Sequence, residues 1–476
     1  MDAALEKRLK RQVIGKPHLF LAVVPLGFEQ TLTDEIEFCH PRVVGDGKVE
    51  FTAKIVDAWK AVAYTRIANR VLMHIADFKA ENFRELEKKA AEIPWELYLP
   101  AMSSQAGSGQ AALNIHVTCK HSRLYHSDAI AERLYNVINT GHPREGGRTA
   151  LSNLLLSAHG HQGGDLPLAT ATSSWRPQSR HLLAFSAEFP QNLYVNFVDD
   201  RCTIWLDLAG EELYKRGHER HVNDAPLKET IAAAMLFEIS ALVAAPITLI
   251  DPMAGSGTFS LEAAYKASGL IPGVCRDFAL KHQPAFKPAT WNHIVTPKHN
   301  ASPDVTPKRE AQVCPLAAIA TTDISERAIS IIRHNVECSP LASAPQSGNA
   351  PAIAPQVKDF FAYTAEEITG ACPAGSLPAI ILNPPYGKRL DFDAPKLYTR
   401  IGKKLAELAR DLNNAGKPLT VAILSPKDDT RNGAKYTCTA NLLQACPALD
   451  PARNPQAKKI ITSHGGITLN VFIATL

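Results

Sequence analysis

The stretch Leu249-Ile250-Asp251-Pro252-Met253-Ala254-Gly255-Ser256-Gly257-Thr258-Phe259 sets a buried strand, a glycine turn and a helix start in immediate succession. A ligand at such a junction meets the unpaired amides of a helix N-terminus. Gly255 and Gly257 let the backbone approach a bulky group where a Cβ would collide, Thr258 can satisfy amides at the helix start, and Met253 and Ser256 belong to the same turn. Asp251 can accept hydrogen bonds or face a positive group. A plain strand-to-helix turn shares this pattern, because Gly-x-Gly alone is common. No Gly-Lys-Ser/Thr follows, so no lysine is supplied for a triphosphate. The third glycine of a dinucleotide site is absent as well.

Working outward, short apolar runs at 247–250, 317–322, 356–358, 379–382 and 419–424 alternate with helical patterns, which predicts an α/β, doubly wound parallel sheet. Residues 459–463 and 467–474, joined at Gly465-Gly466, predict a terminal antiparallel hairpin. A cofactor carrying adenosine needs an acidic residue after the second strand to hold its ribose hydroxyls. Asp323, followed by Ile324, is placed for this; capping the helix from Ser325 is the alternative role. Its distance from Gly257 far exceeds the usual spacing of roughly 20 residues, which the Pro-rich insert at 272–312 explains. Asp359 is the candidate for the adenine amine, with Phe360 packing against the ring. Both inserts, 272–312 and 339–355, are crowded with Pro, Ala and Ser and are expected to stay out of the core.

A second segment, Asn383-Pro384-Pro385-Tyr386, follows the apolar strand at 379–382. Consecutive prolines remove two amide donors and leave carbonyl oxygens free to accept. An exocyclic amine, whose lone pair is drawn into its ring, needs such acceptors on its hydrogens. The Asn383 side chain and the Pro384 carbonyl would supply them, and Tyr386 offers a flat face for an extruded base. A rigid surface turn is the bland alternative for this tetrapeptide. Its position after a buried strand, downstream of the Asp251 segment, speaks against that.

The chain has 476 residues and a formal net charge of +4, room for two or three domains and a balance that permits nucleic-acid binding without demanding it. Nine scattered cysteines without a Cys-x-x-Cys pair predict reduced thiols and a cytoplasmic setting. No secretory signal is expected in the charged N-terminus. The apolar run 231–250 is interrupted by Glu238 and Pro246 and reads as a break and a buried strand, not a membrane span. A short helix is expected at 151–156, and His159 and His161 read as solvated loop residues, so no metal is expected. The N-terminal half, with strands at 18–26, 48–51, 112–119, 193–197 and 202–206, predicts α+β units, the last two strands turning at Asp199-Asp200.

These residues resemble class I methyltransferases of the Asn-Pro-Pro-Tyr type. More narrowly, Leu213-Tyr214-Lys215-Arg216-Gly217-His218, Ala225-Pro226-Leu227-Lys228-Glu229, 251–258 and 383–390 resemble the THUMP-domain guanine-N2 methyltransferases of large-subunit (23S) ribosomal RNA. The resemblance implies a Rossmann-like domain with a seven-stranded sheet, S-adenosyl-L-methionine as cofactor and ribosomal RNA as partner. It also implies a ferredoxin-like part at 1–70, a THUMP RNA-binding domain at 71–207, a connecting segment at 208–245 and the catalytic domain at 246–476. Lys120 and Arg123, in a stretch similar to THUMP, and Lys215 and Arg216 become candidate RNA contacts; a charged solvated turn is the alternative for the first pair. The family usually has Tyr at the place of His218 and often Cys at that of Ala254. A DNA adenine or cytosine N-methyltransferase, a protein glutamine methyltransferase and a noncatalytic RNA-binding assembly factor are the competing readings.

Overall fold

The computed structural model describes residues 3–100, 113–141, 190–222, 226–296, 315–342, 351–386, 393–428 and 437–476. The expected helix at 151–156, His159, His161, Ala225 and residues 387–390 lie outside them. Backbone contacts divide the chain into two bodies, one of residues 16–72, 211–281 and 287–476, the other of residues 1–15, 73–210 and 282–286. The segment 16–72 thus groups with the 246–476 region, and residues 1–15 group with 73–210, a division that departs from the sequence boundaries at 70 and 207.

In the first body, β1 (Pro17–Val23), β2 (Arg42–Gly45) and β3 (Lys48–Lys54) form an antiparallel run in the order β2-β3-β1. In the second body, β4 (Arg70–Lys79, from Met73 onward), β5 (Leu113–Lys120), β6 (Gln191–Val198) and β7 (Arg201–Asp207) are ordered β4-β7-β6-β5. The expected hairpin joins β6 to β7, where Asp199 and Asp200 take φ of 51° and 62°, the conformation tight hairpin turns require. β5 runs parallel to β6. Strand alternation puts Leu113, Ile115 and Val117 in the core, while Asn114, His116 and Thr118 meet Asn192, Tyr194 and Asn196 as a polar ladder on the opposite face.

The remaining strands, β8 (Ile247–Asp251), β9 (Leu316–Asp323), β10 (Gln356–Val357), β11 (Leu377–Leu382), β12 (Thr420–Pro426), β13 (Lys458–His464) and β14 (Ile467–Thr475), form a seven-stranded sheet ordered β10-β9-β8-β11-β12-β14-β13. The first five strands are parallel, and β14 pairs antiparallel with both β12 and β13. Every residue of β8 and nearly every one of β11 and β12 is buried, as a sheet covered on both faces demands. Strand order reverses between β8 and β11, which opens a crevice at their carboxyl ends. Both segments singled out in the sequence begin there.

The apolar run 231–250 resolves into the helix Glu229–Leu242 and β8. Its lone charge, Glu238, is buried but accepts from Thr31 Oγ1 at 2.5 Å and Lys458 Nζ at 2.7 Å, which satisfies it. Among the described residues no helix is long and apolar enough to cross a membrane. The first insert corrects an expectation. Phe278, Leu280, Trp291 and Ile294 are buried, Phe278 and Trp291 lie 5.4 Å apart, and Pro288 starts the helix Pro288–Val295. Proline at the first helical position is compatible with a helix, and the i, i+3 spacing of Trp291 and Ile294 gives it an apolar face that the Pro-rich composition hid. In the second insert, Ile353 is half-buried against Ala254, Ile329 and Ile332.

Candidate active site

Asp251 ends β8 fully buried. Its Oδ2 accepts from Ser260 Oγ at 2.8 Å, while Oδ1 is buried without a partner among the described residues. Burial, and secondarily the charge of Asp323, pushes the carboxyl up to about 7, although hydrogen bonds from Ser260 pull the other way. Gly255 and Gly257 adopt φ of 58° and 77°. A Cβ on Gly257 would meet Ile332 at 3.1 Å, so that glycine serves close helix packing, whereas a Cβ on Gly255 would point into open space. The turn is therefore tight beneath and open above.

Asp323 ends β9 and clamps this turn. Its Oδ2 accepts from the Gly255 amide and its Oδ1 from the Ser325 amide, both at 2.9 Å. Ser325, rather than Asp323, caps the following helix by accepting from the Ala328 amide. Ile324 is 70% exposed at the same strand end, a large apolar face left open beside the carboxylate. Asp359 caps a single turn through the Phe361 amide at 3.0 Å. Phe360 is corrected: at 2% exposure its ring is packed among Ile250, Tyr363, Ile380 and their neighbours, so it cannot cover a ligand. Aromatic rings after a strand face either the crevice or the core, and sequence position does not tell which.

Two residues that sequence reading missed hold the glycine turn. Arg220 Nη2 donates to Ser256 Oγ at 3.2 Å and Thr258 Oγ1 at 2.5 Å, and its Nη1 pairs with Glu229. Asn335, fully buried, donates to the Ser256 carbonyl at 3.0 Å and the His221 carbonyl at 2.9 Å and accepts from the His221 amide at 2.8 Å. An asparagine three residues beyond Ile332, on the buried face of an amphipathic helix, was the only available signal.

On the neighbouring strand, Asn383 follows β11 with its Oδ1 buried and without a partner among the described residues. Pro384 is buried, Pro385 exposed and Tyr386 half-buried. The Tyr386 hydroxyl, pushed by burial up to about 12, lies 3.5 Å from His464 Nδ1. Burial in turn holds His464 below the usual imidazole range.

The basic candidates separate. Arg216 is corrected from RNA contact to core ion pair: its guanidinium grips Glu262 in bidentate fashion at 2.9 and 3.0 Å and donates to the Leu213 and Arg66 carbonyls. Lys215 is half exposed and pairs with Glu211 at 2.9 Å. In the other body, Lys120 is exposed, and Arg123, also exposed, pairs with Glu81 and approaches Asp200 at 3.7 Å. His218, half-buried, meets the Tyr265 hydroxyl through Nε2 at 2.9 Å.

An orphaned buried carboxylate oxygen, an open cradle above Gly255, a carboxylate at the end of β9 and an exposed isoleucine beside it suit a cationic cofactor carrying an adenosine. Comparison with known proteins agrees. Residues 216–416 match the model of the RMKL-like methyltransferase domain (UPF0020), and residues 19–72 match the RlmL ferredoxin-like domain. The ribosomal RNA large subunit methyltransferase K/L of Allochromatium vinosum is 27% identical over 403 residues, 82% of this chain and 46% of that protein. YpsC of Bacillus subtilis is 26% identical over 379 residues, 79% of this chain and 80% of that protein. The chain thus spans about half the length of the K/L relatives. The solved structure of SMU.472 in complex with SAH shares the fold, with a TM-score of 0.64 at 20% identity over 97% of this chain and 98% of that one. With the strand order, the terminal hairpin and both domain matches in agreement, residues 216–416 are a methyltransferase domain of the RMKL-like type, and residues 19–72 are an RlmL-like ferredoxin segment preceding it.

Proposed function

We propose that this chain methylates the exocyclic N2 amine of a guanine in 23S ribosomal RNA, with S-adenosylmethionine as donor. The observation that carries the acceptor assignment is the buried, unpartnered Oδ1 of Asn383 at the carboxyl end of β11, the strand beside β8. An unpaired buried acceptor costs on the order of 1–3 kcal/mol, and an amine hydrogen offered there removes that penalty. The Pro384 carbonyl would take the second hydrogen. With both hydrogens held, the nitrogen lone pair is turned toward the donor, and alignment of this kind can supply roughly 7–11 kcal/mol. When bound, S-adenosylmethionine supplies an electrophilic methyl on a sulfonium; the N–C bond forms as the C–S bond breaks, and the nitrogen's surplus proton passes to water. Asp251 Oδ1 would face the cofactor's ammonium, Asp323 its ribose hydroxyls and Ile324 its adenine.

The choice of large-subunit RNA rests on the name of the K/L relatives and on the RlmL ferredoxin-like match. Nucleoside mass mapping of ribosomal RNA from cells lacking the protein should show one N2-methylguanine missing from 23S RNA, restored by the wild-type chain. Methyl transfer to DNA adenine instead, with ribosomal RNA unaltered, would overturn the substrate.

Replacing Asp323 by Ala should weaken S-adenosylmethionine binding by roughly 10- to 100-fold, since charge-assisted hydrogen bonds contribute about 1.5–3 kcal/mol each. Titration calorimetry with affinity unchanged would remove Asp323 from the cofactor site. The Asp251 carboxyl predicts a pH profile. Its folded pKa is raised from 3.8 to about 7, so the cofactor-free chain loses stability as pH rises through that window. A cation beside Oδ1 favours the ionised form, so cofactor affinity should increase as pH rises through about 7 and level off above it. The Asp251→Asn protein should show a flat profile, and a flat profile in the wild type would contradict the pairing.

For the RNA, Lys120→Ala and Arg123→Ala should each weaken binding without regard to sequence and lower the salt slope by about 1. Arg123 must exchange Glu81 for a phosphate to do so, which predicts the smaller effect for that residue. Identical slopes for wild type and the double variant would remove this face from the RNA contact.

A further inference from the structure

We propose that Glu219, His221 and His334, with Cys338 as fourth ligand, form a site for a divalent transition ion of the zinc class that locks the cofactor turn. One ligand atom from each of the first three residues lies within 4.8 Å of the others. His221 Nε2 is 3.6 Å from Glu219 Oε1, the two imidazole rings are stacked at 3.8 Å, and Cys338 Sγ is 3.6 Å from His334 Nε2. His334 and Cys338 are one helical turn apart, so both side chains rise from the same face at the end of the helix Glu326–Glu337. Two imidazoles, a thiolate and a carboxylate make a donor set that suits tetrahedral Zn²⁺ better than Mg²⁺ or Ca²⁺, which take oxygen ligands.

Nothing in the fold of the catalytic sheet calls for Glu219, His221 and His334 to converge, and Cys338 joins them through its contact with His334. They come from two separate stretches, 219–221 and 334–338, of which Glu219, His221 and Cys338 are exposed and His334 is half-buried. The backbone beneath them is held: Asn335 takes both the amide and the carbonyl of His221. That same asparagine donates to the Ser256 carbonyl, and Arg220, lying between two of the ligands, donates to the Ser256 and Thr258 hydroxyls. An ion joining the two stretches would therefore stiffen the glycine turn through Asn335 and Arg220, and supporting contacts of this sort typically change metal affinity by roughly 10- to 100-fold. Because coupling is reciprocal, Zn²⁺ should tighten binding of the cofactor and the cofactor should tighten binding of Zn²⁺.

Equilibrium dialysis of the full chain against Zn²⁺, with and without S-adenosylhomocysteine, tests this. The wild type should hold one equivalent more than the His221→Ala/His334→Ala protein, and S-adenosylhomocysteine affinity by calorimetry should rise about fivefold or more with Zn²⁺ in the wild type only. Because His221 is exposed and His334 half-buried, the folded state of the variants is checked by circular dichroism, and Cys338→Ser alone should weaken the extra equivalent about tenfold or more. Equal Zn²⁺ content in wild type and double variant, or no Zn²⁺ bound by the wild type, overturns the site. An extra equivalent without any change in S-adenosylhomocysteine affinity overturns the link to the cofactor turn. None of these readouts depends on which base is methylated, so their failure leaves the acceptor assignment standing.

Discussion

Asn383→Ala is expected to lower the rate of methyl transfer by roughly 10²–10³-fold while changing S-adenosylmethionine affinity by no more than a few fold. The magnitude follows from what removal of one preorganised hydrogen-bonding group does elsewhere when the group acts mainly in the transition state. Asn383 is suited to that role because its Oδ1 is buried and has no partner among the described residues. The penalty of desolvating that oxygen was met on folding, so no reorganisation is needed when an amine arrives. The proposed cofactor residues Asp251, Gly255 and Asp323 sit at the end of β8, in the turn after it and at the end of β9, and none of the bonds they make goes to Asn383. Single-turnover rates alongside calorimetric titration separate the two effects. A variant with wild-type single-turnover rate would take Asn383 out of the chemistry, and one with lost cofactor affinity would move it to the donor site.

Arg216→Ala should destabilise the chain by about 3–5 kcal/mol, the range for breaking one partner out of a buried pair. The guanidinium and the Glu262 carboxylate are 3% and 1% exposed, so removing the arginine leaves a carboxylate in the core. Arg66 Nη1, at 3.8 Å from Glu262 Oε2, is poorly placed to replace it. The same arginine ties the Leu213 and Arg66 carbonyls together, joining the connecting segment to the residues after the helix Ile55–Tyr64. Thermal unfolding should show a large fall in the midpoint, with the salt slope of RNA binding unchanged in the protein that remains folded. A normal midpoint with weakened RNA binding would restore Arg216 to the RNA-contact role that its neighbourhood in sequence suggested.

The division between these two residues shows how far local pattern reaches. That Asp251, Gly255, Gly257 and Asn383 lie at one crevice was legible because strand and turn are contiguous in the chain, and a parallel sheet places whatever follows its central strands at one edge. The terminal hairpin and the Asp199-Asp200 turn were legible for the same reason, their backbone requirement being written in two adjacent residues. Arg216 and Lys215 are adjacent and alike in charge, yet one is core and the other half exposed. The difference lies in Glu262, which is 46 residues away, and no local rule contains it.

Phe360, the first insert and the Arg220–Asn335 clamp belong to that second kind. Strand period and turn chemistry set the order of elements and the residues at the crevice, because those properties act between neighbours in the chain. Which aromatic enters the core, which arginine finds a carboxylate and which histidines come to share a corner were decided only when distant segments packed. Burial and pairing energies depend on what lies across the interface, and that partner is chosen by the fold.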